Sequence, residues 1–181
     1  MIGKHLVQIR PARPEDAESI ARVQVDTWRT AYRGIVPDEF LRRLSYEIST
    51  RGWRKRLQGG DAETFLFVAE EETAGIVGFV SGGPLREAIE GRPDYRGEVY
   101  AIYVRDEYQR QGIGSRLLMR AFRRLAEQGM GAVVVWVLAE NINVRFYEAL
   151  GGTPIARRMV TIGGADLAEI AYAWRQDAFG F

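Results

Sequence analysis

Residues 98–115 read EVYAIYVRDEYQRQGIGS, and this stretch decides the fold. EVYAIYV at 98–104 is rich in aromatic and β-branched residues, so it reads as a strand. After residue 112, Gly114, Leu117, Leu118, Ala121, Phe122 and Leu125 recur at helical spacing, which marks an amphipathic helix. Between strand and helix lies Gln109-Arg110-Gln111-Gly112-Ile113-Gly114-Ser115. Its two glycines let the backbone approach a ligand closely and aim successive N–H groups outward. The helix that starts there adds its unpaired N–H groups and the positive end of its dipole. Such a loop suits a phosphate or pyrophosphate, with Arg110 as added mobile charge. A Walker-type loop is excluded, because Gly114 is followed by Ser115-Arg116 and not by Gly-Lys-Ser/Thr. A dinucleotide fingerprint wants a third glycine at position 117, where this chain has Leu117. A plain glycine turn before a helix remains the alternative.

Outward from this point, the chain alternates between the two periodicities. LVQIR at 6–10 reads as a strand, and Arg13-Pro14-Glu15-Asp16 as a helix start with proline and acids in its first turn. Ala17, Ile20, Ala21, Trp28, Ala31 and Tyr32 form one apolar stripe along that helix. Short helices follow from Asp38 and over about 46–58. Strands at 64–69 and 75–81 form a hairpin. AVVVWVL at 132–138 is an unbroken apolar run, as expected of a strand covered on both faces. A short helix spans 143–150. Strands at 154–162 and 166–174 flank Gly163-Gly164, a hairpin turn.

The chain of 181 residues suffices for a single domain, 1–181, with a full core. It has no cysteine and one histidine, His5, which excludes disulfides, thiolate metal ligands, a cysteinyl acyl-enzyme and, in practice, a histidine triad or a His-rich metal site. The formal charge of +1 gives no pull toward nucleic acid. Arg116, Arg120, Arg123 and Arg124 read as a solvated helix face. No apolar run is long enough to span a membrane, and Met1 to His5 carry no signal core, so a cytoplasmic location is expected.

Gln109, Gly112 and Gly114 match every fixed position of Gln/Arg-x-x-Gly-x-Gly/Ala, and the chain resembles the GNAT superfamily of N-acetyltransferases. AENINVRFYEALGG at 139–152 resembles the family's second characteristic segment, a strand followed by Asn and a short helix with Phe-Tyr and Leu-Gly. The resemblance covers nearly the whole chain, with its specificity concentrated at 98–118 and 141–151. One departure is Gly152, where the family often has an aromatic residue. The resemblance implies an α/β fold: a twisted, mostly antiparallel mixed sheet with helices on both faces, splayed between 98–104 and 132–138. It implies acetyl-CoA as acetyl donor, its pyrophosphate on Arg110 to Ser115, its pantetheine arm along Ile102, Tyr103 and Val104, and Asn141 near the pantetheine or phosphate. Ile102 N–H would face the thioester carbonyl, where an oxyanion needs a preorganised donor.

With period two, Glu98, Tyr100, Ile102 and Val104 share one strand face, and Glu98 at this offset resembles a general base. A strand-end glutamate facing solvent is the alternative. Tyr147 resembles the acid that protonates the departing thiolate; a core aromatic is its alternative. Trp28, Tyr32 and Tyr100 are candidate walls of the acceptor site, and Glu87, Glu90 and Asp94 add negative charge before the strand. The expected reaction is direct attack by a primary amine of a small molecule or peptide, with no metal, membrane or nucleic acid; a homodimer is left open. A CoA-binding module without turnover, or a nucleotide-binding oxidoreductase, are the other classes.

Overall fold

The computed structural model describes residues 6–175; the reading of Met1 to His5 lies outside them. Strand β1 (Val7–Pro11) leads through a single 3-10 turn at Pro14–Asp16 into helix α1 (Ala17–Ala31). The Asp16 carboxylate accepts from Arg13 N at 2.7 Å and from Arg10 Nη1 at 2.7 Å, so it caps the turn and ties it to β1. Helices α2 (Asp38–Arg43) and α3 (Tyr46–Gln58) follow, the latter capped by Ser45. Strands β2 (Phe65–Glu71), β3 (Gly75–Pro84) and β4 (Gly97–Val104) form an antiparallel meander. Helix α4 (Ile113–Glu127), β5 (Ala132–Leu138), α5 (Val144–Ala149), β6 (Thr153–Ile162) and β7 (Ala165–Arg175) complete the chain.

The seven strands make one sheet in the order β1-β2-β3-β4-β5-β7-β6, antiparallel except for β4 and β5. That parallel pair is short: Gly97, Glu98 and Val99 pair Val133, Val134 and Val135, and then the strands part. The α4 stripe fills one face of the sheet, with Leu117, Leu118 and Leu125 fully buried against Val99, Val104 and Val135. Each such leucine contributes about 1.5–3 kcal/mol of burial. On the other face α1 and α3 cover Val68 and Phe79 with Ile20, Ala21 and Trp53. The α1 stripe divides: Trp28 and Tyr32 leave this cluster and pack with Val36, Leu41 and Leu138.

One expectation is corrected by the β4 register. Ala101 pairs Ser81 and Val99 pairs Gly82, so Tyr100 is an extra residue opposite no partner. A β-bulge shifts the alternation by one residue. Val99, Ile102 and Val104 therefore join the α4 core, while Ala101 and Tyr103 join the α1 side. Glu98, Tyr100, Ile102 and Val104 do not share a face.

Two further details shape the site. Gly163 and Gly164 both have positive φ, 61° and 85°, as the two-residue turn requires. A Cβ on Gly163 would lie 2.7 Å from Phe40 Cβ, so glycine there lets α2 close on the β6–β7 turn.

Candidate active site

A cleft of about 260 Å³ opens where β4 and β5 part. Ile102 and Val104 form its floor, Gln109, Arg110, Gly112, Gly114 and Ser115 one wall, and Asn143, Phe146 and Tyr147 the other. The loop is built for close backbone approach. Gly112 has φ 79° and precedes the first turn of α4, and a Cβ there would meet no atom within 4 Å. That space is open to a ligand, and the first N–H groups of α4 face it without intrahelical acceptors. Arg110 adopts φ 58°, the sole positive φ of a non-glycine among the described residues. Gln109 Nε2 donates to Val104 O at 3.0 Å and so fixes the loop to the end of β4. Gly114 packs differently: its missing Cβ would sit 3.3 Å from the Phe146 ring, so it sets the approach of α4 to α5. These features fit a pyrophosphate at the loop and an extended arm along β4.

A narrower passage of about 80 Å³ continues from this cleft through the sheet. The two share Ile102, Val104, Gln109, Asn143 and Tyr147. The far end is lined by Thr27, Tyr32, Tyr100, Tyr103, Trp136 and Asn141. Four tyrosines, Tyr32, Tyr100, Tyr103 and Tyr147, thus line the passage. Trp28 Nε1 donates to Tyr103 Oη at 2.9 Å. Asn141 Oδ1 accepts from Asn143 N at 2.9 Å. Burial raises the Tyr32 phenol, and hydrogen bonds from Tyr103 and Asn141 oppose that rise. Burial, with the Tyr32 phenol nearby, pushes Tyr147 well above its ordinary value. Tyr103 is raised by burial in the same way.

Glu98 is 2% exposed and lines neither cavity. Its Oε2 accepts from Arg86 N at 3.0 Å and its Oε1 from Arg86 Nε at 3.1 Å, with Arg86 Nη2 also on Oε1. It is not the solvent-facing strand end that was its alternative. The Arg86 guanidinium in turn lies 4.5 Å over the Tyr100 ring, while Tyr100 Oη donates to Pro84 O at 2.6 Å. Across the split, Arg158 lies 4.1 Å over Trp136 and donates to Glu169 and Glu87, each at 2.8 Å. Asp94 pairs instead with Arg175.

Of the sequence candidates, Ile102, Val104, Gln109, Arg110, Gly112, Gly114, Ser115 and Tyr147 converge on the cleft. Gln111 is exposed and donates to Glu107 O at 3.1 Å, and Ile113 is buried in the α4 core. Asn141 lies in the passage and not on the cleft wall; Asn143 takes that place. Trp28 and Tyr32 pack at 4.7 Å between ring centroids beside the passage. Asn143, Phe146, Trp136 and Arg86 were not among the candidates. Phe146 had a signal in the sequence, since it stands beside Tyr147; Arg86 had none.

Residues 23–152 match the family described as Acetyltransferase (GNAT) family. A Bacillus subtilis (strain 168) protein named as an uncharacterized N-acetyltransferase, YuaI, is 38% identical over 169 residues, covering 93% of each chain. Two solved structures share the fold. A GCN5-related N-acetyltransferase from Rhodopseudomonas palustris has a TM-score of 0.71 at 20% identity, covering 97% of this chain and 99% of that one. The yncA acetyltransferase of Salmonella typhimurium, solved with acetyl-CoA, has a TM-score of 0.69 at 20% identity, covering 95% of each. The chain belongs to the acetyltransferase (GNAT) family and is an acetyl-CoA-dependent acetyltransferase.

Proposed function

We propose that the protein transfers an acetyl group from acetyl-CoA to a primary amine by direct attack, with the donor in the cleft and the amine entering from the Tyr32, Tyr100 and Trp136 end. The observation that carries this reading is the passage itself, which joins the glycine-loop cleft to the opposite face of the sheet. Arg110 to Ser115 hold the pyrophosphate, and Ile102, Tyr103 and Val104 hold the pantetheine through the β4 edge that β5 has left. Ile102 N–H faces the developing oxyanion.

Glu98 is the base in this reading; because it lines neither cavity, the proton reaches it through water. Tyr147 protonates the leaving thiolate. Trp28, Tyr32 and Tyr100 wall the acceptor, a small molecule or a peptide amine, in the cytoplasm where the donor is made. The test is release of thiol from acetyl-CoA across a panel of amines, amino acids and peptides, with the product identified by mass. Acetylated amine is the expected product. Tight acetyl-CoA binding with transfer to no amine would sink the amine reading.

A further inference from the structure

A buried polar atom without a hydrogen-bond partner is uncommon in a folded protein and calls for a reason. Among the described residues five side-chain atoms are in that state: Thr27 Oγ1, Ser81 Oγ, Arg120 Nη1, Gln128 Oε1 and Trp136 Nε1. Gln128 still bonds through its amide nitrogen, and Arg120 lies over the Phe67 ring. The other three gather on the acceptor side. Thr27 and Trp136 line the passage through the sheet, and Ser81 lines a hollow of about 400 Å³ that shares Tyr100 with that passage.

We propose that Thr27 and Trp136 select the acceptor: Trp136 Nε1 donates to a neutral carbonyl oxygen beside the acceptor amine, and Thr27 Oγ1 accepts from the amine itself. The acceptor class is then an amine next to an amide carbonyl, as in an amino-acid amide or a peptide N-terminus. This rests on the reading of the passage as the amine's route.

Position and chemistry both carry it. The last β4–β5 pair is Val99 with Val135, so Trp136 is the first β5 residue beyond the pairing, where the split opens. Thr27 reaches the same passage from α1 and is 6% exposed. The indole N–H donates and never accepts, so its partner must bring a lone pair. An alkylammonium has none, whereas a carbonyl has two. A hydroxyl accepts as well as donates, which suits the N–H of an amine. The charges nearby decide between carbonyl and carboxylate. Arg158, 4.1 Å over the Trp136 ring, already faces Glu169 and Glu87, and Arg86 already faces Glu98. A carboxylate would enter without a counter-charge of its own, while a neutral carbonyl needs only the N–H.

The test compares two acceptor series: amides of glycine, alanine, leucine and phenylalanine, and the alkylamines in which isopropyl replaces each amide group. Rates are compared per unprotonated amine, because a neighbouring carbonyl lowers the amine's pKa. The amides should lead in kcat/KM by at least about tenfold. Trp136→Phe keeps a ring under Arg158 and removes the N–H; it should bring the two series to within about threefold of each other. Thr27→Val keeps the shape and should raise acceptor KM about tenfold in both series, with recovery in Thr27→Ser. Calorimetric acetyl-CoA affinity, unchanged in each variant, shows that the fold is kept. Alanyl-alaninamide beside alaninamide tells a peptide terminus from a free amide. Transfer to no amine, with acetyl-CoA bound, removes the amine reading and this proposal with it. Equal use of both series, a preference that survives Trp136→Phe, or Thr27→Val at the wild-type rate overturns this proposal alone. Free alanine ahead of alaninamide overturns it too, because the passage would then be reading charge.

Discussion

Burial of Glu98 has opposite effects on its two possible tasks. It keeps the carboxylate in one orientation, yet it forces both oxygens onto Arg86. Glu98→Gln is expected to lower turnover by roughly 10²–10⁴-fold if the carboxylate is the dominant base. Because Arg86 is about half exposed, the loss of the pair should cost only about 1 kcal/mol of stability. Steady-state rates together with calorimetric acetyl-CoA affinity check this; an unchanged rate at neutral pH would make Glu98 a structural anchor of Arg86. Tyr147→Phe is expected to lower turnover about ten- to a thousand-fold. Its pH dependence follows from the raised phenol. The unfolded chain ionises this group near pH ~10 while the folded chain resists, so its contribution to stability is full below that pH and lost as pH rises through the folded value. The wild-type melting temperature should therefore fall more steeply above pH ~10 than that of the Phe variant. Parallel alkaline melting curves would count against a buried phenol.

The glycine loop and the first turn are the elements with most at stake. Gly112 occupies a left-handed conformation, so Gly112→Val should cost about 1–2 kcal/mol in strain and place a branched side chain in the ligand's space. Gly114→Val should act through Phe146, displacing α5 and with it Tyr147. Both should weaken acetyl-CoA at least tenfold by calorimetry; retained affinity in both would remove the loop from the binding site. At the other end of the chain, Arg10 joins Asp16 of the first turn to Glu70 of β2. Burial raises the Asp16 carboxyl, but the Arg10 and Arg13 hydrogen bonds outweigh it and the net shift is downward. A depressed acid stabilises the fold above its unfolded value near pH ~4 and loses that contribution as pH falls through the folded value. Asp16→Asn should cost about 1–3 kcal/mol at pH 7 and flatten the acid limb of stability below pH ~4. An acid limb identical to wild type would show that the staple carries no net energy.

At the scale of the whole molecule, β4 and β5 hold the two halves of the sheet together by three residue pairs. A donor laid into the split would bridge them. At 100 times its Kd, acetyl-CoA should stabilise the fold by about 2.7 kcal/mol, a rise of roughly 5–10 °C in melting temperature. Amides of 102–104 should gain hydrogen-exchange protection at the same time. A rise in melting temperature without protection there would place the donor elsewhere.

Sequence by itself determined the order of elements, because each announces itself locally: period two in 98–104, period 3.6 in α4, an apolar run in β5, a Gly-Gly turn before β7. It also determined the glycine loop between β4 and α4, because that loop is a contiguous stretch of backbone. Tertiary structure alone decided how the strand of the site faces. The bulge at Tyr100 depends on how β3 lies against β4, and one extra residue there reverses the side to which Glu98 points. It alone decided, too, that Arg86 meets Glu98 and that phenols from the C-terminal end of α1, from β4 and from α5 line one passage. Those contacts join residues far apart in the chain, and they exist only because a sheet opened by three short pairings leaves a gap that side chains from both faces must line.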